Sequence, residues 1–367
     1  MECVRVKKGF NPVDPGKDPP GRDLSRGRRN CRVLTDGESM ILAGDIGATK
    51  TILGLFSEEE SLERPFAEKT FPSGNYPGLE EMADEFLNQS MGPPVKAAFF
   101  GVAGPVRSGC VDTTNLPWSL DTDSLKNALK VPTVRLMNDI EALGSGLSLL
   151  GSGDLKTLNQ GQPQEEGARA ILAAGTGLGE AFLTSENSRW RTHPTEGGHT
   201  DFSPSGEEQD ALLRFLRGFS QHVSWELVCS GIGLQNILSF LIDTGAYSEP
   251  PWSVSAAAGQ DITPEIIHAA LEEIPPCSLS THALGMFVSI LGAEAGNLAL
   301  KVLATGGVYL GGGLPPRILS LLEKGGFMES FTAKGRMSRI MENIPVHVIL
   351  NPRTALMGAA KTGLETV

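Results

Sequence analysis

Short apolar runs alternate with longer amphipathic segments from residue 40 to the end of the chain. The short runs are typical of strands, and apolar residues three and four positions apart in the longer segments are typical of helices. Alternation of the two predicts an α/β fold. The predicted strands are 40–45, 51–57, 95–102, 133–137, 168–174, 180–184, 307–310 and 346–349. The predicted helices are 78–89, 140–150, 207–219, 224–229, 234–244, 263–271, 278–303 and 315–322.

The most informative segment, 41–56, reads ILAGDIGATKTILGLF. Two apolar runs flank a turn that contains Asp45, Gly47 and Thr49, which predicts a β-hairpin. Such a turn can offer backbone N–H groups and a hydroxyl to a phosphate, and the carboxylate beside it can hold hydrated Mg²⁺. Asp-x-Gly turns also link ordinary hairpins, so this segment alone leaves both interpretations open.

A second segment, 171–183, reads ILAAGTGLGEAFL and resembles the first. Its turn, Gly175 to Gly179, allows close approach of a ligand to the backbone, and Thr176 adds a hydroxyl. If the similarity is a true repeat, two related lobes each contribute one phosphate-binding hairpin to a shared cleft. Chance similarity between two apolar hairpins is the alternative. A third glycine-rich segment, 306–313, can accept a flat adenine or can simply join a strand to a helix.

Candidate acid–base residues follow the strand at 133–137. Asn138 and Asp139 come where this strand ends and a helix begins. Asp139 can cap that helix. It can also accept the proton of a substrate hydroxyl while Asn138 positions the substrate. The motif alone does not decide between the two roles.

The segment 195–202 brings further polar groups together. Two glycines between Glu196 and His199 allow a turn that aims both side chains in one direction. No zinc spacing is matched and no cysteine is near, so recognition of a polyol is favoured, since a carboxylate accepts from hydroxyls and imidazole can donate and accept. Glu226 can add another carboxylate to this site, or can lie on a solvated helix face.

Length, charge and cysteine content limit the classes of protein to which this sequence can belong. A chain of 367 residues exceeds one hydrophobic core, which predicts two lobes. A net charge of −12 argues against a nucleic-acid partner and favours a soluble cytosolic protein. Five scattered cysteines without a CxxC pair indicate neither a disulfide framework nor a cysteine zinc site. No apolar run of transmembrane length is predicted, and the proline-rich, basic stretch 1–39 is interpreted as a disordered arm or a start-site artefact.

Taken in this order, the motifs resemble the bacterial glucokinase family of the non-zinc type, within the sugar kinase/actin/heat-shock-chaperone ATPase superfamily. The resemblance runs from about residue 41 to residue 358 and implies a two-lobed actin-like ATPase (ribonuclease H-like) fold, with a nucleotide and sugar cleft between the lobes. It places a small α/β lobe at 40–149 plus 350–367 and a large α/β lobe at 150–349. The matching motifs are Asp45-x-Gly47-x-Thr49, Thr114-Asn115-Leu116-Pro117-Trp118, Leu136-Met137-Asn138-Asp139, Gly175-Thr176-Gly177-Leu178-Gly179, Glu196-Gly197-Gly198-His199, and Glu226 ahead of Ser230-Gly231.

The resemblance also implies an activity, ATP-dependent phosphorylation of D-glucose at its 6-hydroxyl, with Asp139 as the general base and Asp45 near Mg²⁺. The implied sugar contacts are Asn115, Asn138, Asp139, Glu196, His199 and Glu226. The implied nucleotide contacts are Asp45, Gly47, Ala48, Thr49, Lys50, Gly175, Thr176, Gly177, Gly311 and Gly312. A homodimer is the implied assembly.

Three alternatives to a glucokinase are considered. A sugar sensor that keeps the fold without the chemistry would tolerate loss of Asp139, which is present. A chaperone- or actin-like ATPase would give Glu196, His199 and Glu226 no reason to converge. A kinase for another hexose cannot be separated by sequence, because one epimeric hydroxyl is read by few hydrogen bonds. The related zinc-containing sugar kinases carry a cysteine-rich segment that is missing after His199, so no structural zinc is expected.

Overall fold

The computed structural model of the protein describes residues 39–57, 61–113, 116–187, 189–253 and 260–367. Nearly all of the predicted arm at 1–39, and Asn115 among the predicted sugar contacts, lie outside these described residues. The described strands form two large sheets and one small sheet of two strands. The small sheet pairs β5 (Cys110–Asp112) with β6 (Ser119–Asp121).

The first large sheet has the strand order β3-β2-β1-β4-β7. Its first three strands are antiparallel neighbours, and β1, β4 and β7 run parallel to one another. Both faces of the central strands are buried, which explains why their sequences are continuously apolar. The strands are β1 (Met40–Ile46), β2 (Lys50–Ser57), β3 (Ala67–Pro72), β4 (Val95–Val102) and β7 (Thr133–Asn138).

The second large sheet has the order β11-β10-β9-β12-β13-β8 and repeats the pattern of the first. Three antiparallel neighbours are again followed by two strands parallel to the third, with β8 added at the edge. The two similar sequence segments form the equivalent hairpins β1–β2 and β9–β10, so the predicted repeat is present in the topology. The strands are β8 (Leu155–Asn159), β9 (Arg169–Ala174), β10 (Leu178–Glu186), β11 (Arg189–Thr195), β12 (Gly307–Gly311) and β13 (Val346–Ile349).

Helices cover the faces of both sheets. The described α-helices are α1 (Leu79–Ser90), α2 (Thr122–Leu129), α3 (Asp139–Gly146), α4 (Glu207–Leu216), α5 (Gly231–Asp243), α6 (Thr263–Leu271), α7 (Ser278–Val302), α8 (Leu314–Arg317), α9 (Leu319–Leu322), α10 (Gly326–Thr332), α11 (Ser338–Met341) and α12 (Thr354–Thr366). The predicted helix at 224–229 is wrong, because its backbone pairs with the loop around residue 200 and forms a bridge and turns instead.

Helix α7 is the central helix of the largest core, which lies on the second sheet. Among the described residues, it is the one helix long and apolar enough to cross a membrane by length and composition, with a mean hydropathy of 1.5. The sequence analysis predicted this helix but missed that it has an apolar run of transmembrane length. Of that apolar window, 72% is buried inside the protein. This burial is typical of a core helix, and such a single helix is weak evidence for a membrane span.

The C-terminal helix α12 returns to the first sheet. Its residues Leu356 and Ala359 share a buried cluster with Ile41 of β1 and Phe99 of β4. The same helix crosses α3 at very short range, because glycines stand at the crossing. A Cβ atom at Gly358 would overlap the carbonyl oxygen of Ala142 in α3. Helix α3 is thereby held against the first sheet by backbone contact.

We expect Gly358→Ala to destabilise the protein by more than about 2 kcal/mol, because the added methyl group meets backbone rather than a movable side chain. The matched control is Gly285→Ala on the exposed side of α7, where a Cβ meets nothing within 4 Å. That control should be neutral or stabilising by up to about 1 kcal/mol, since alanine is the better helix former. Urea unfolding followed by circular dichroism measures both, and equal stability of the two variants would contradict the proposed crossing.

Candidate functional site

The site begins at one edge of the first sheet. Asp45 of β1 lies beside Gly101 of β4, and the next residue of β4, Val102, lies beside Asn138 of β7. Because these strands are parallel, their carboxyl ends meet at one edge, where open α/β sheets commonly bind ligands. Gly101 lets α3 approach, since a Cβ there would lie only 2.8 Å from the Cβ atom of Ala142 in α3.

Asn138 and Asp139 form the start of α3. Asn138 caps the helix, and its Oδ1 atom accepts a hydrogen bond of 3.0 Å from the Ile140 N–H. The Nδ2 atom of Asn138 donates to the carbonyl oxygen of Gly104 at 3.0 Å, so both ends of the amide are fixed. Asp139 Oδ1 also accepts from the Ile140 N–H, at 2.8 Å. The hydrogen bond at the start of α3 therefore orients the Asp139 side chain, and it is compatible with a role of that side chain in the site.

Electrostatics couples three carboxyl groups in this site. Burial raises the pKa of Asp139, the backbone hydrogen bond from Ile140 opposes that shift, and the negative charge of Glu196 adds to it. Burial, followed by the negative charge of Asp139, raises the pKa of Asp45 to about 7, and the charge of Lys50 opposes the shift. Negative charges at short range from one another raise carboxyl pKa values. The same carboxyl groups provide oxygen atoms that could bind a cation or accept hydrogen bonds from a polar ligand.

The first hairpin turn has a support that the sequence did not reveal. Ser73, which follows β3, is fully buried, and its hydroxyl donates a 2.7 Å hydrogen bond to the Gly47 carbonyl oxygen. It also lies 3.0 Å from the hydroxyl of buried Thr51. The Gly47 N–H donates to the carbonyl oxygen of Lys50, while the side chains of Thr49 and Lys50 are exposed. The turn is thus fixed from below, and its polar side chains remain available to a ligand.

The loop at 196–199 presents two polar side chains to the same space. Glu196 and His199 approach to 3.8 Å between Oε2 and Nε2, and both side chains are more than half exposed. On the other side of the imidazole ring, Nδ1 lies 4.0 Å from Glu226 Oε1. Glu226 is itself anchored, because its Oε2 atom accepts a 3.0 Å hydrogen bond from the Leu178 N–H. The structure therefore brings these three predicted residues together.

Backbone pairing explains how Glu226 reaches the loop. The N–H groups of Trp225 and Glu226 donate to the carbonyl oxygens of Thr200 and Gly198, at 3.0 and 2.9 Å. Those bonds hold the segment in turns, which is why no helix forms at 224–229. Gly198 packs directly on the Leu178 carbonyl, where a Cβ atom would overlap. The loop consequently rests on the first residue of β10.

The second hairpin turn precedes β10. Gly175 donates to the Gly177 carbonyl oxygen at 2.9 Å, and the Thr176 side chain is exposed. The first N–H of α5, from Gly231, donates to the Gly175 carbonyl oxygen at 2.8 Å. The helix therefore abuts this turn.

The two glycines predicted beside an adenosine differ in their surroundings. Gly311 is buried against Leu143 of α3, at 2.8 Å from an ideal Cβ position. Gly312 is exposed, has a φ of +84°, and stacks on the backbone of Ala174. Gly312 thus offers open backbone next to the second turn, while the role visible for Gly311 is close packing of α3.

Together these residues form a line of polar groups across both sheets, from Asp45 through Asp139, Glu196 and His199 to Glu226. The two glycine turns flank this line at the starts of β2 and β10. In the described part of the chain, no group of three or more His, Cys, Asp and Glu side chains could hold a metal ion by itself.

Comparison with known proteins identifies the family. The sequence model of the glucokinase family matches residues 42–365. The chain is 41% identical over 337 residues to the glucokinase of Nostoc punctiforme, which covers 88% of this chain and 98% of that protein. The chain belongs to the glucokinase family. A glucokinase of Synechocystis is also similar, at 39% identity over 87% of this chain and 96% of that protein.

Solved structures of the glucokinase family agree with this assignment. A glucokinase from an Antarctic psychrotroph superposes with a TM-score of 0.74 at 28% identity, covering 90% of this chain and 99% of that one. A glucokinase from Balamuthia mandrillaris, solved in complex with glucose, has the same fold at a TM-score of 0.74 and 21% identity, over 89% and 94% of the chains. The protein therefore has the two-lobed actin-like ATPase fold that the sequence predicted.

We expect Asp45→Asn to stabilise the ligand-free protein, and more so near neutral pH than at pH 4. The unfolded carboxyl ionises near 3.8 and the folded one near 7, so between these values only the folded state keeps the proton. Stability of the wild type therefore falls as pH rises through this window, and the asparagine variant does not share that loss. Thermal unfolding between pH 4 and pH 8 measures the difference. Asp84→Asn, at an exposed position of α1, controls for loss of one charge. The same pH dependence of stability in both variants would contradict the raised pKa of Asp45.

Proposed function

We propose that the protein transfers the γ-phosphoryl group of ATP to the 6-hydroxyl of D-glucose, giving glucose 6-phosphate and ADP, with Asp139 as the general base. Membership of the glucokinase family supports the reaction. The observation that carries the residue assignment is that Asp139 interacts electrostatically with Asp45 on one side and with Glu196 on the other. The attacking hydroxyl must lie next to the general base, at the point where the sugar site meets the phosphate site.

Glucose recognition is assigned to the polar groups around this base. Glu196 and Glu226 can accept hydrogen bonds from sugar hydroxyls, and the His199 ring between them can donate and accept. Asn138, the neighbour of Asp139 in sequence, is assigned to the same site from the family resemblance, and its amide is held by Gly104 and Ile140. Asn115 completes the proposed set from the family resemblance, and it lies outside the described residues.

Proton transfer is assigned to Asp139. The sugar 6-hydroxyl would lie against its carboxylate and attack the γ-phosphorus in line, with the proton passing to the carboxylate as the bond forms. A raised pKa makes this carboxylate a stronger base than a solvated one. Because the ionised form is the active base, turnover is expected to fall as pH drops through the pKa of Asp139. Much of the rate comes from holding the two substrates in this geometry.

The nucleotide is assigned to the two hairpin turns. Backbone N–H groups and the exposed hydroxyls of Thr49 and Thr176 can contact phosphates, with Gly47, Ala48, Lys50, Gly175 and Gly177 around them. The adenosine is assigned to Gly311 and Gly312 from the family resemblance, and Gly312 stacks on the backbone of Ala174, directly before the second turn. Mg²⁺ is assigned next to the Asp45 carboxyl group. This group lies near the negative charge of Asp139, and the positive charge of Lys50 offsets only part of the resulting pKa shift. When bound there, Mg²⁺ would offset the charge of the phosphate oxygens.

Closure of the lobe at 40–149 plus 350–367 onto the lobe at 150–349 would exclude water and limit ATP hydrolysis. A homodimer and a cytoplasmic location are further expectations from the family resemblance and the acidic composition. A kinase for a different hexose is the alternative for the substrate, since a single hydroxyl contact separates the epimers. A sensor without activity is the other alternative.

We expect Asp139→Asn to lower kcat for glucose by about 10²–10⁴-fold, the usual contribution of a general base, while glucose binding changes much less. A coupled assay of ADP release with glucose, mannose, fructose and N-acetylglucosamine measures turnover, and calorimetry measures glucose binding. The control is Asp84→Asn, remote from the site. Turnover kept by the Asp139 variant would refute its role as base. Glucose binding by the wild type without turnover on any sugar would favour the sensor.

Removal of divalent cations should abolish turnover, and Asp45→Asn should raise the Mg²⁺ concentration needed for half-maximal rate. The physical reason is that the variant loses the one protein carboxylate assigned to the ion. Turnover is measured across a Mg²⁺ titration at fixed ATP, with glucose saturating. The KM for glucose, by comparison, should change little. An unchanged Mg²⁺ requirement in the variant would show that Asp45 does not serve the metal.

A further inference from the structure

Two buried carboxyl groups lie beneath the 196–199 loop and take no part in the reaction described above. Glu180, in β10, is 1% exposed, and Glu294, in the middle of α7, is fully buried. The sequence analysis gave neither residue a role. The available signal was a glutamate inside an otherwise apolar stretch of sequence. Glu180 follows Gly179 in one such stretch, and Glu294 follows Ala293 in the other. Carboxyl groups are rarely buried without a partner.

Their hydrogen bonds balance only if the pair holds a proton. Glu294 Oε2 accepts a 2.9 Å hydrogen bond from Asn297. The Oε1 atoms of Glu180 and Glu294 are both buried without a hydrogen-bond partner, although Lys301 Nζ forms a longer ion pair of 3.6 Å with Glu294 Oε1. The two carboxyl groups are close enough to hydrogen-bond each other. A single proton on one of them supplies the missing donor and satisfies both oxygens.

The charges around the pair place that proton on Glu180. Glu294 faces Lys301 of its own helix at 3.6 Å, and Lys334 is tied to the same group through Asn297 at 2.7 Å. Both cations favour ionised Glu294. Lys301 forms its ion pair with Glu294 and only partly offsets the shift at Glu180, where burial, followed by the charge of Glu294, raises the pKa to about 8.

Other titratable groups face the pair from neighbouring elements. Cys229, before α5, is buried next to both glutamates, and burial followed by their charges raises the pKa of that thiol well above its usual value. The thiol therefore stays neutral where Glu180 titrates. In the loop above, the side chains of Glu196 and His199 are exposed to solvent. Glu180 is consequently the group of this cluster that changes charge at mildly alkaline pH.

Glu180 also contacts the backbone of the 196–199 loop. A Cβ atom at Gly197 would overlap Glu180 Oε2, so the carboxyl group lies directly against the loop backbone. The Gly197 N–H donates to Thr195 Oγ1 at 3.1 Å, and that hydroxyl donates to the Glu180 carbonyl oxygen at 3.1 Å. Movement of Glu180 would therefore displace the segment that presents Glu196 and His199.

We propose that the Glu180–Glu294 pair is a positioning element for the sugar site, in which one shared proton holds β10, α7 and the 196–199 loop together. Loss of the proton puts two buried negative charges side by side, and their repulsion moves Glu180 against Gly197. The weakened loop then binds glucose less tightly, while the phosphoryl-transfer step is affected less. The inference rests on the proposed glucose site.

The test measures KM for glucose and kcat between pH 6.5 and pH 9.5 in four proteins: wild type, Glu180→Gln, Glu294→Gln and Glu265→Gln. In the wild type, KM should rise about fivefold above pH 8, the factor that corresponds to one lost hydrogen bond of average strength. Glu180→Gln keeps the shape, donates permanently to Glu294 and does not titrate, so its KM profile should be flat. Glu294→Gln removes the repulsion from the other side and should also flatten it. Glu265, exposed on α6, is the control and should follow the wild type.

A second measurement does not depend on activity. Since the folded state keeps the Glu180 proton up to about pH 8 and the unfolded chain loses it near 4.5, wild-type stability falls across this window. The Tm of Glu180→Gln relative to wild type should therefore rise from pH 5 to pH 9. A flat wild-type KM profile, or an alkaline rise that persists in both pair variants, would overturn the positioning role. Absence of glucose turnover in the wild type would instead overturn the proposed function, while the Tm difference still tests the shared proton.

Discussion

The backbone contact between α3 and α12 is the constraint on which the site depends. Glycines at the crossing, with Gly358 against Ala142 and Gly146 against Thr354, bring the helices closer than any side chain would allow. On its other side α3 meets the second sheet, where Gly144 faces Thr192 and Leu143 covers Gly311. One short helix is therefore fixed to both sheets. Since Asp139 is its first residue, the same packing places the proposed base between them.

A second constraint is the accumulation of negative charge in that position. Burial raises the pKa values of Asp45 and Asp139, the charge of Asp139 adds to the shift of Asp45, the charge of Glu196 adds to that of Asp139, and the chain as a whole carries a net charge of −12. A polyanionic nucleotide gains nothing from this field. Its binding must then rely on oriented N–H groups at the two turns and on a bound cation, both of which act at short range. The same crowding favours the proposed role of Asp139 as proton acceptor, because burial and the charge of Glu196 raise its pKa.

Sequence patterns predicted the parts of this structure that are local. The two apolar hairpins, the parallel strands after them and the strand–helix junction at Asn138–Asp139 lie close to their predicted bounds. Failures occur where distant segments decide the outcome. Residues 224–229 form turns because they pair with residue 200, and Ser73 supports a turn 26 positions away. The polar edge strand Arg189–Thr195 was missed because it lacks an apolar pattern. Convergence of Glu196, His199 and Glu226 was implied by the family resemblance and could not come from periodicity.

Strand β10 links the two halves of the proposed reaction. The second phosphate turn ends where β10 begins, the N–H of its first residue, Leu178, holds Glu226, and the Leu178 carbonyl supports Gly198. Two residues later, Glu180 lies under Gly197. Sugar loop and nucleotide turn therefore share one short stretch of extended backbone, which is rigid because it is paired on both sides. A shift of this strand moves both substrates together, so the relative placement of glucose and phosphate is preserved better than the position of either one. A buried, protonated carboxyl group at Glu180 fits the proposed pair, because an apolar residue there would leave the buried Glu294 carboxylate without that donor.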